Sequence, residues 1–136
     1  MRRHKYGAKR AEVDGHKFDS KAEARRYGEL KMLEKAGKIV GLKVHPKFGL
    51  RVDMGRRGKT EIGFYEADFH YLSEGGEAVV EDVKGVRTPI YRWKKKHFEA
   101  EYGIEITEVD VKKSKEGWAV VGFVDDPRGR GGRKEA

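Results

Sequence analysis

Glu23, Asp68, Asp82 and Lys84 are residues of the types that handle metals and protons, and their spacing can bring them together. Asp82 and Lys84 stand two apart in "VVEDVKG", so along a strand they share a face, while Glu81 and Val83 share the other. A second acid, Asp68, stands in "YEADFHY", on what reads as the neighbouring strand. Carboxylates so placed repel one another when ionised. A divalent cation relieves the repulsion, and hard oxygen ligands suit Mg²⁺ or Mn²⁺. Such an ion polarises a phosphate and lowers the pKa of a bound water. Lys84 would then position that water or neutralise charge developing on the phosphate. Taken alone, "EDVK" also suits a strand whose charges pair on a solvent-facing side. The flanking Val79, Val80 and Val83 argue for a central strand, where a buried charge needs a partner or a metal.

A third acid comes from a helix. "SKAE" is a capping box, with Ser20 as N-cap and Glu23 three residues on. At 100° per residue, Glu23, Tyr27, Leu30 and Glu34 fall within about 60° of one another, which turns Glu23 inward. A Glu23 carboxylate folded back on the cap is the plainer reading of that residue taken alone. The register of the hairpin decides which acid faces Lys84. With Gly75-Gly76 as a two-residue turn, Asp68 would share its face with Glu81. With a loop of Glu74 to Gly76, Ser73 pairs with Glu77 and Asp68 lies opposite Asp82. The three-residue loop is the expectation, a bulge would serve as well, and Glu81 is the alternative ligand.

The elements that must hold these residues follow from local signals. Asp14-Gly15 predicts a hairpin turn. The first helix is expected from Ser20 to about Ala36, ended by Gly37. Residues 39–52 predict two strands broken at Pro46, and "DMGRRGKTE" a basic hairpin tip. "IGFYEADFHYL" is expected to form one strand and "EAVVEDVKG" the next. Thr88-Pro89 opens a second helix that stops at Gly103, with Ile90, Trp93 and His97 expected to pack inward. "IEITEVDV" and "WAVVGFV" predict further strands. This order predicts an α/β fold: a single-domain mixed β-sheet flanked by helices. Residues 1–12 read as a flexible basic arm, 13–124 as the folded domain and 125–136 as a disordered basic tail.

The chain has 136 residues, with 31 Lys and Arg against 23 Asp and Glu, a net charge of +8 that attracts polyanions. Candidate phosphate contacts are Arg2, Arg3, Lys5, Lys9 and Arg10 in the arm, Arg56, Arg57 and Lys59 at the tip, and Lys94 on the flank of the second helix. The absence of Cys excludes disulfides and thiolate zinc sites and points to a cytoplasmic setting. Asn and Gln are also absent and 40% of residues are charged, a composition expected of a thermophile. No apolar run approaches a membrane span, and no signal peptide is expected. The five histidines show no metal-ligand spacing of their own, and there is no phosphate-binding glycine loop.

Glu23 on a helix, Asp68 on one strand and Asp82-Val83-Lys84 on the next resemble the PD-(D/E)XK nuclease superfamily. "FDSKAEARRYGELKMLEKAGKI", "YEADFHY" and "VVEDVKG" look like a small group of phage-encoded members, similar also to archaeal-type Holliday-junction resolvases. The resemblance spans roughly residues 4–109 and implies a restriction-endonuclease-like core. It departs from the motif name at Ala67, which stands where the proline would. It implies Mg²⁺-dependent phosphodiester hydrolysis, with Mn²⁺ as substitute. Asp68, Asp82 and the Val83 carbonyl would bind metal, Lys84 would be the catalytic lysine, and Glu23 would support the metal or its water. The expected activity is therefore a structure-specific DNA endonuclease, a homodimer cutting four-way junctions in a bacterial host's cytoplasm, with the apolar "WAVVGFV" as the dimer edge. The alternatives are a nicking, restriction-like or transposon-end nuclease on the same fold, and a DNA-binding protein without catalysis.

Overall fold

The computed structural model describes residues 10–84, 86–114 and 117–124, with side chains as far as Asp110. The chain opens with a hairpin, β1 (Ala11–Val13) and β2 (His16–Phe18). Its two turn residues, Asp14 and Gly15, have φ of +52° and +81°. Both left-handed positions are what a two-residue turn needs to match strand twist. Strand β1 thus starts inside the segment read from sequence as an arm. Helix α1 (Lys21–Lys35) follows; the Ser20 hydroxyl accepts from the Glu23 N–H at 3.1 Å, and Gly37 turns the chain out at φ +78°. Its inward face carries Glu23, Arg26, Tyr27 and Leu30.

Strands β3 (Val40–Val44) and β4 (Lys47–Asp53) are separated by His45-Pro46. A short 3-10 turn (Gly55–Arg57) leads to β5 (Lys59–Glu66). The single strand expected over 62–72 is not formed. It breaks at Ala67-Asp68, with β5 on one side and β6 (Phe69–Leu72) on the other. The reason lies in the paired strand, which bends at Pro46. Pairing runs Val44↔Phe69 on one side of the bend and Lys47↔Glu66 on the other, so the register carries straight through. His45 therefore faces Asp68, and its N–H donates to the Asp68 carbonyl at 2.9 Å, while the Ala67 N–H donates to the Pro46 carbonyl at 3.0 Å. Together β3–β4 and β5–β6 make one long hairpin bent at its middle, and its outer half forms a separate two-stranded sheet.

Strand β7 (Ala78–Val83) pairs with β6 through the three-residue loop expected from sequence: Leu72↔Ala78 and Phe69↔Glu81, with the Ser73 N–H on the Glu77 carbonyl at 2.8 Å. Helix α2 (Pro89–Tyr102), capped by Thr88 and ended by Gly103 at φ +69°, crosses over to β8 (Thr107–Ser114), which runs parallel to β7. Strand β9 (Gly117–Val124) closes the edge. The main sheet is mixed, in the order β3-β6-β7-β8-β9. The protein is a small α/β domain with α1 on one face of this sheet and α2 with the β4–β5 hairpin on the other.

Two cores result. Phe18, Tyr27, Leu30, Phe69 and Val79 pack beneath α1. Leu50, Tyr65, Val80, Phe98 and Ile106 pack beneath α2. Strand β7 alternates between them, which is why its Val-Val-Glu-Asp run is buried throughout. On α2 the inward stripe is Tyr91, Phe98 and Tyr102. Ile90 and Trp93 are instead 63% and 78% exposed, and His97 is half-buried with its Nε2 2.8 Å from the Arg51 carbonyl. The rings of Phe98, Tyr102 and Phe48, with centroids 4.7–5.6 Å apart, outweigh the adjacent stripe that the sequence also offered. Among the described residues no helix is long and apolar enough to cross a membrane.

Candidate metal centre

The bend in the long hairpin sets a row of side chains across three strands. His45 stands opposite Asp68, and the register of β6 on β7 carries Asp68 opposite Asp82. The Asp68 backbone is fixed on both sides, since its N–H donates to the Glu81 carbonyl at 3.1 Å and its carbonyl accepts from His45. Its side chain is fixed too: Oδ2 accepts from the Val83 N–H at 2.7 Å. Val83 thus meets the site through its N–H.

Glu23 enters from the first turn of α1, at the positive end of the helix dipole. The capping box is half made. Glu23 Oε1 takes the Asp19 N–H at a long 3.4 Å, and Oε2 lies 2.6 Å from His45 Nε2. Glu23 is buried, while His45 and Asp68 are half-buried; one ligand atom from each lies within 4.8 Å of the others. This group could hold a metal ion. Two carboxylates and an imidazole are donors that divalent cations accept.

Asp82 and Lys84 adjoin it. Lys84 Nζ is 3.4 Å from Asp82 Oδ1 and 3.6 Å from the centroid of the Tyr91 ring, so an acid and a π-face hold the ammonium together. Asp82 Oδ2 is buried with no hydrogen-bond partner among the described residues. A buried carboxylate oxygen without a donor is costly, and a cation would satisfy it. Burial pushes the Asp82 carboxyl up to about 7 against the pull of Lys84. Burial, followed by the charge of Glu23, pushes Asp68 up to about 8. Burial also lifts Glu23 to about 7, against hydrogen bonds from Asp68 and the Asp19 backbone. Three carboxyl groups therefore hold protons near neutrality unless positive charge enters the site.

Glu81, the alternative ligand, lies on the other face. Arg26 Nε and Nη2 donate to its two oxygens at 2.9 and 2.7 Å, and the Tyr71 hydroxyl also donates to Oε2. Its lone pairs are engaged, so it serves the α1 core and not the metal group. His45 is the residue sequence reasoning missed. Its one outward sign is that it precedes Pro46, and its role depends on the strand pairing. It also sits at φ +55°, where a non-glycine residue is uncommon.

Among the sequence-predicted phosphate contacts, Arg10, Arg56, Arg57 and Lys59 are exposed. Arg56, Arg57 and Lys59 lie at the far tip of the bent hairpin, about 30 Å along the strands from the acid row at ~3.4 Å per residue. Lys94 is half-buried, with Nζ 5.3 Å from the Phe64 ring centroid. Arg2, Arg3, Lys5 and Lys9 lie outside the described residues.

Residues 3–116, which contain every element of this site, match the family described as "Protein of unknown function (DUF1064)". The chain belongs to the DUF1064 family. No curated protein and no solved structure matches it. In this DUF1064 chain the groups with chemistry to offer at the site are Glu23, His45, Asp68, Asp82 and Lys84.

Proposed function

We propose that this DUF1064 chain is a metal-dependent endodeoxyribonuclease with a restriction-endonuclease-like core, acting on branched DNA. One observation carries the reading: Glu23 of α1, half-buried Asp68 of the break before β6 and buried Asp82 of β7 converge beside a lysine, and one Asp82 oxygen has no partner among the described residues. A structural salt-bridge network would pair its charges, as Glu81 and Arg26 do on the opposite face.

Glu23, His45 and Asp68 would hold the ion, with Asp82 Oδ2 supplying a further oxygen. Mg²⁺ suits the oxygens, and the imidazole shifts the balance toward Mn²⁺. When bound, a divalent ion polarises a phosphate and acidifies a water at neutral pH. The chain's own groups do the rest. Asp68 and Glu23 give up protons as they become ligands. Lys84, immobilised by Asp82 and the Tyr91 ring, presents its ammonium to charge developing on the phosphate. The +8 charge draws a polyanion toward the site.

A four-way junction presents two equivalent strands, so two copies related by a two-fold axis would cut both. Strand β9 at the sheet edge is the proposed seam. The test is cleavage of a labelled four-way junction and of linear duplex, with Mg²⁺, Mn²⁺ or EDTA, alongside sedimentation. Metal-dependent cutting of the junction by a dimer is expected. Equal cutting of linear duplex would favour the restriction-like alternative, and no cleavage of any DNA with either metal would remove the nuclease reading.

A further inference from the structure

The start of α2 carries a feature that the metal centre does not use. An open cleft of about 420 Å³ lies there, lined by Arg87, Tyr91, Arg92, Trp93, Lys95 and Lys96, with Pro89 and Glu108. We propose that this cleft binds an unpaired stretch of a DNA strand, with Trp93 as its stacking platform. The proposal rests on the reading that the chain acts on DNA, and it names the form of strand that the site receives.

The first support is the tryptophan. Trp93 is 78% exposed, on a helix whose other aromatics are turned inward. An indole facing water forgoes its burial. The second support is charge. Four cations and a single carboxylate line the cleft. That carboxylate, Glu108, is buried and already accepts from Arg87 at 2.8 Å and from the Tyr91 hydroxyl at 2.7 Å. Among the described residues no carboxylate forms an ion pair with Arg92 or Lys96. An exposed indole amid cations suits a ligand that alternates flat rings with phosphates. Duplex bases have no free face to stack, so the ligand is single-stranded.

The third support is position. Tyr91 lines the cleft and also carries Lys84 over its ring at 3.6 Å. One aromatic ring thus joins the cleft to the acid site. A strand splayed from a branch point and stacked on Trp93 would lead its duplex-side phosphate toward Asp82 and Lys84.

The test is metal-free, so it does not depend on hydrolysis. Anisotropy is measured in EDTA with a labelled oligothymidylate of about 20 nucleotides and with a linear duplex of the same length. Trp93→Ala is expected to weaken the single strand by about five- to hundredfold. Trp93→Phe keeps a stacking face and should stay within about threefold, and duplex affinity should hold within about twofold for both. Substitution at so exposed a position leaves the fold intact. Unchanged single-strand affinity in Trp93→Ala would overturn the proposal, and so would equal losses on single strand and duplex. Loss of self-association on sedimentation, with DNA affinity unchanged, would reassign the face to a second protein copy. Intact single-strand binding without metal-dependent cleavage would remove the nuclease reading and leave the cleft standing.

Discussion

Replacing Asp82 with Asn removes a charge while keeping the shape of the side chain, and the structure gives the sign of the result. Asp82 is 3% exposed, and burial moves its carboxyl from 3.8 to about 7. At about 1.36 kcal/mol per pH unit, keeping it ionised at pH 8 costs up to about 4 kcal/mol. Some of this is not recovered. The Asn amide places a donor where Oδ2 finds no partner, worth about 1–3 kcal/mol. A net gain of about 1–3 kcal/mol at pH 8, without metal, is therefore expected. Between about pH 4 and 7 the native chain keeps a proton on Asp82 that the unfolded chain has released, so wild-type stability falls as pH rises through that window. Asn takes no part in this fall. At pH 5 only about 1.6 kcal/mol of that fall has occurred, roughly what the unpartnered amide costs, so the gain should be close to zero. Urea unfolding of both proteins at pH 5 and pH 8 in EDTA measures the difference. Adding Mn²⁺ at a hundred times its Kd should then stabilise the wild type by about 2.7 kcal/mol and the variant far less. DNA cleavage should be abolished while DNA binding persists. A stability difference that does not change with pH would refute the burial argument, and wild-type cleavage by the variant would refute the site.

Glu81→Gln should behave in the opposite way, losing about 3 kcal/mol by stripping the buried Arg26 of its main charge partner while still cleaving at low temperature; a stable but inactive variant would mean that the wrong acid has been placed at the metal. His45→Gly should lower Mn²⁺ affinity at least about tenfold by titration calorimetry, yet cost little stability, because glycine adopts φ +55° freely. Metal affinity should rise from pH 6 to above pH 8, with proton release on binding, because Glu23, Asp82 and Asp68 lose protons near 7, 7 and 8. Calorimetry in buffers of different ionisation enthalpy would show this, and a pH-independent affinity would count against these acids as ligands.

The parts of the fold that were readable from sequence are those decided within a few residues. Ser20 and Thr88 cap their helices, Gly37 and Gly103 end them, and Asp14-Gly15 turns the first hairpin, because each acts on its own backbone. The loop of Glu74 to Gly76 was also legible, since it lets Asp68 share a face with Lys84 without the bulge that would otherwise be needed. What escaped was decided by distant partners. "IGFYEADFHYL" has no Gly or Pro at Ala67-Asp68, and it bends there because Pro46 across the ladder bends. His45 has no motif of its own and reaches Glu23 across 22 positions of sequence. On α2 two neighbouring stripes were both apolar enough to be buried, and the rings of Phe48, Phe98 and Tyr102 decided between them.

The Glu81–Arg26 pair has a consequence for folding fidelity. Glu81 and Asp82 are adjacent acids on a strand buried on both faces, so a one-residue slip of β7 would still show a carboxylate to each side. Hydrophobic pattern offers little protection, because Val79 and Val80 exchange just as readily. The two alignments differ in reach: a bidentate guanidinium from α1 meets the longer glutamate, and an aspartate in its place would fall a methylene short. Arg26 thereby reads the length of an acid and reports which way the strand has docked. A variant with Met at position 26 and Leu at position 81 should remain folded, yet divide between two slowly exchanging alignments. Doubled amide resonances along β7 would reveal them, and only one of the two populations would set Asp82 opposite Asp68.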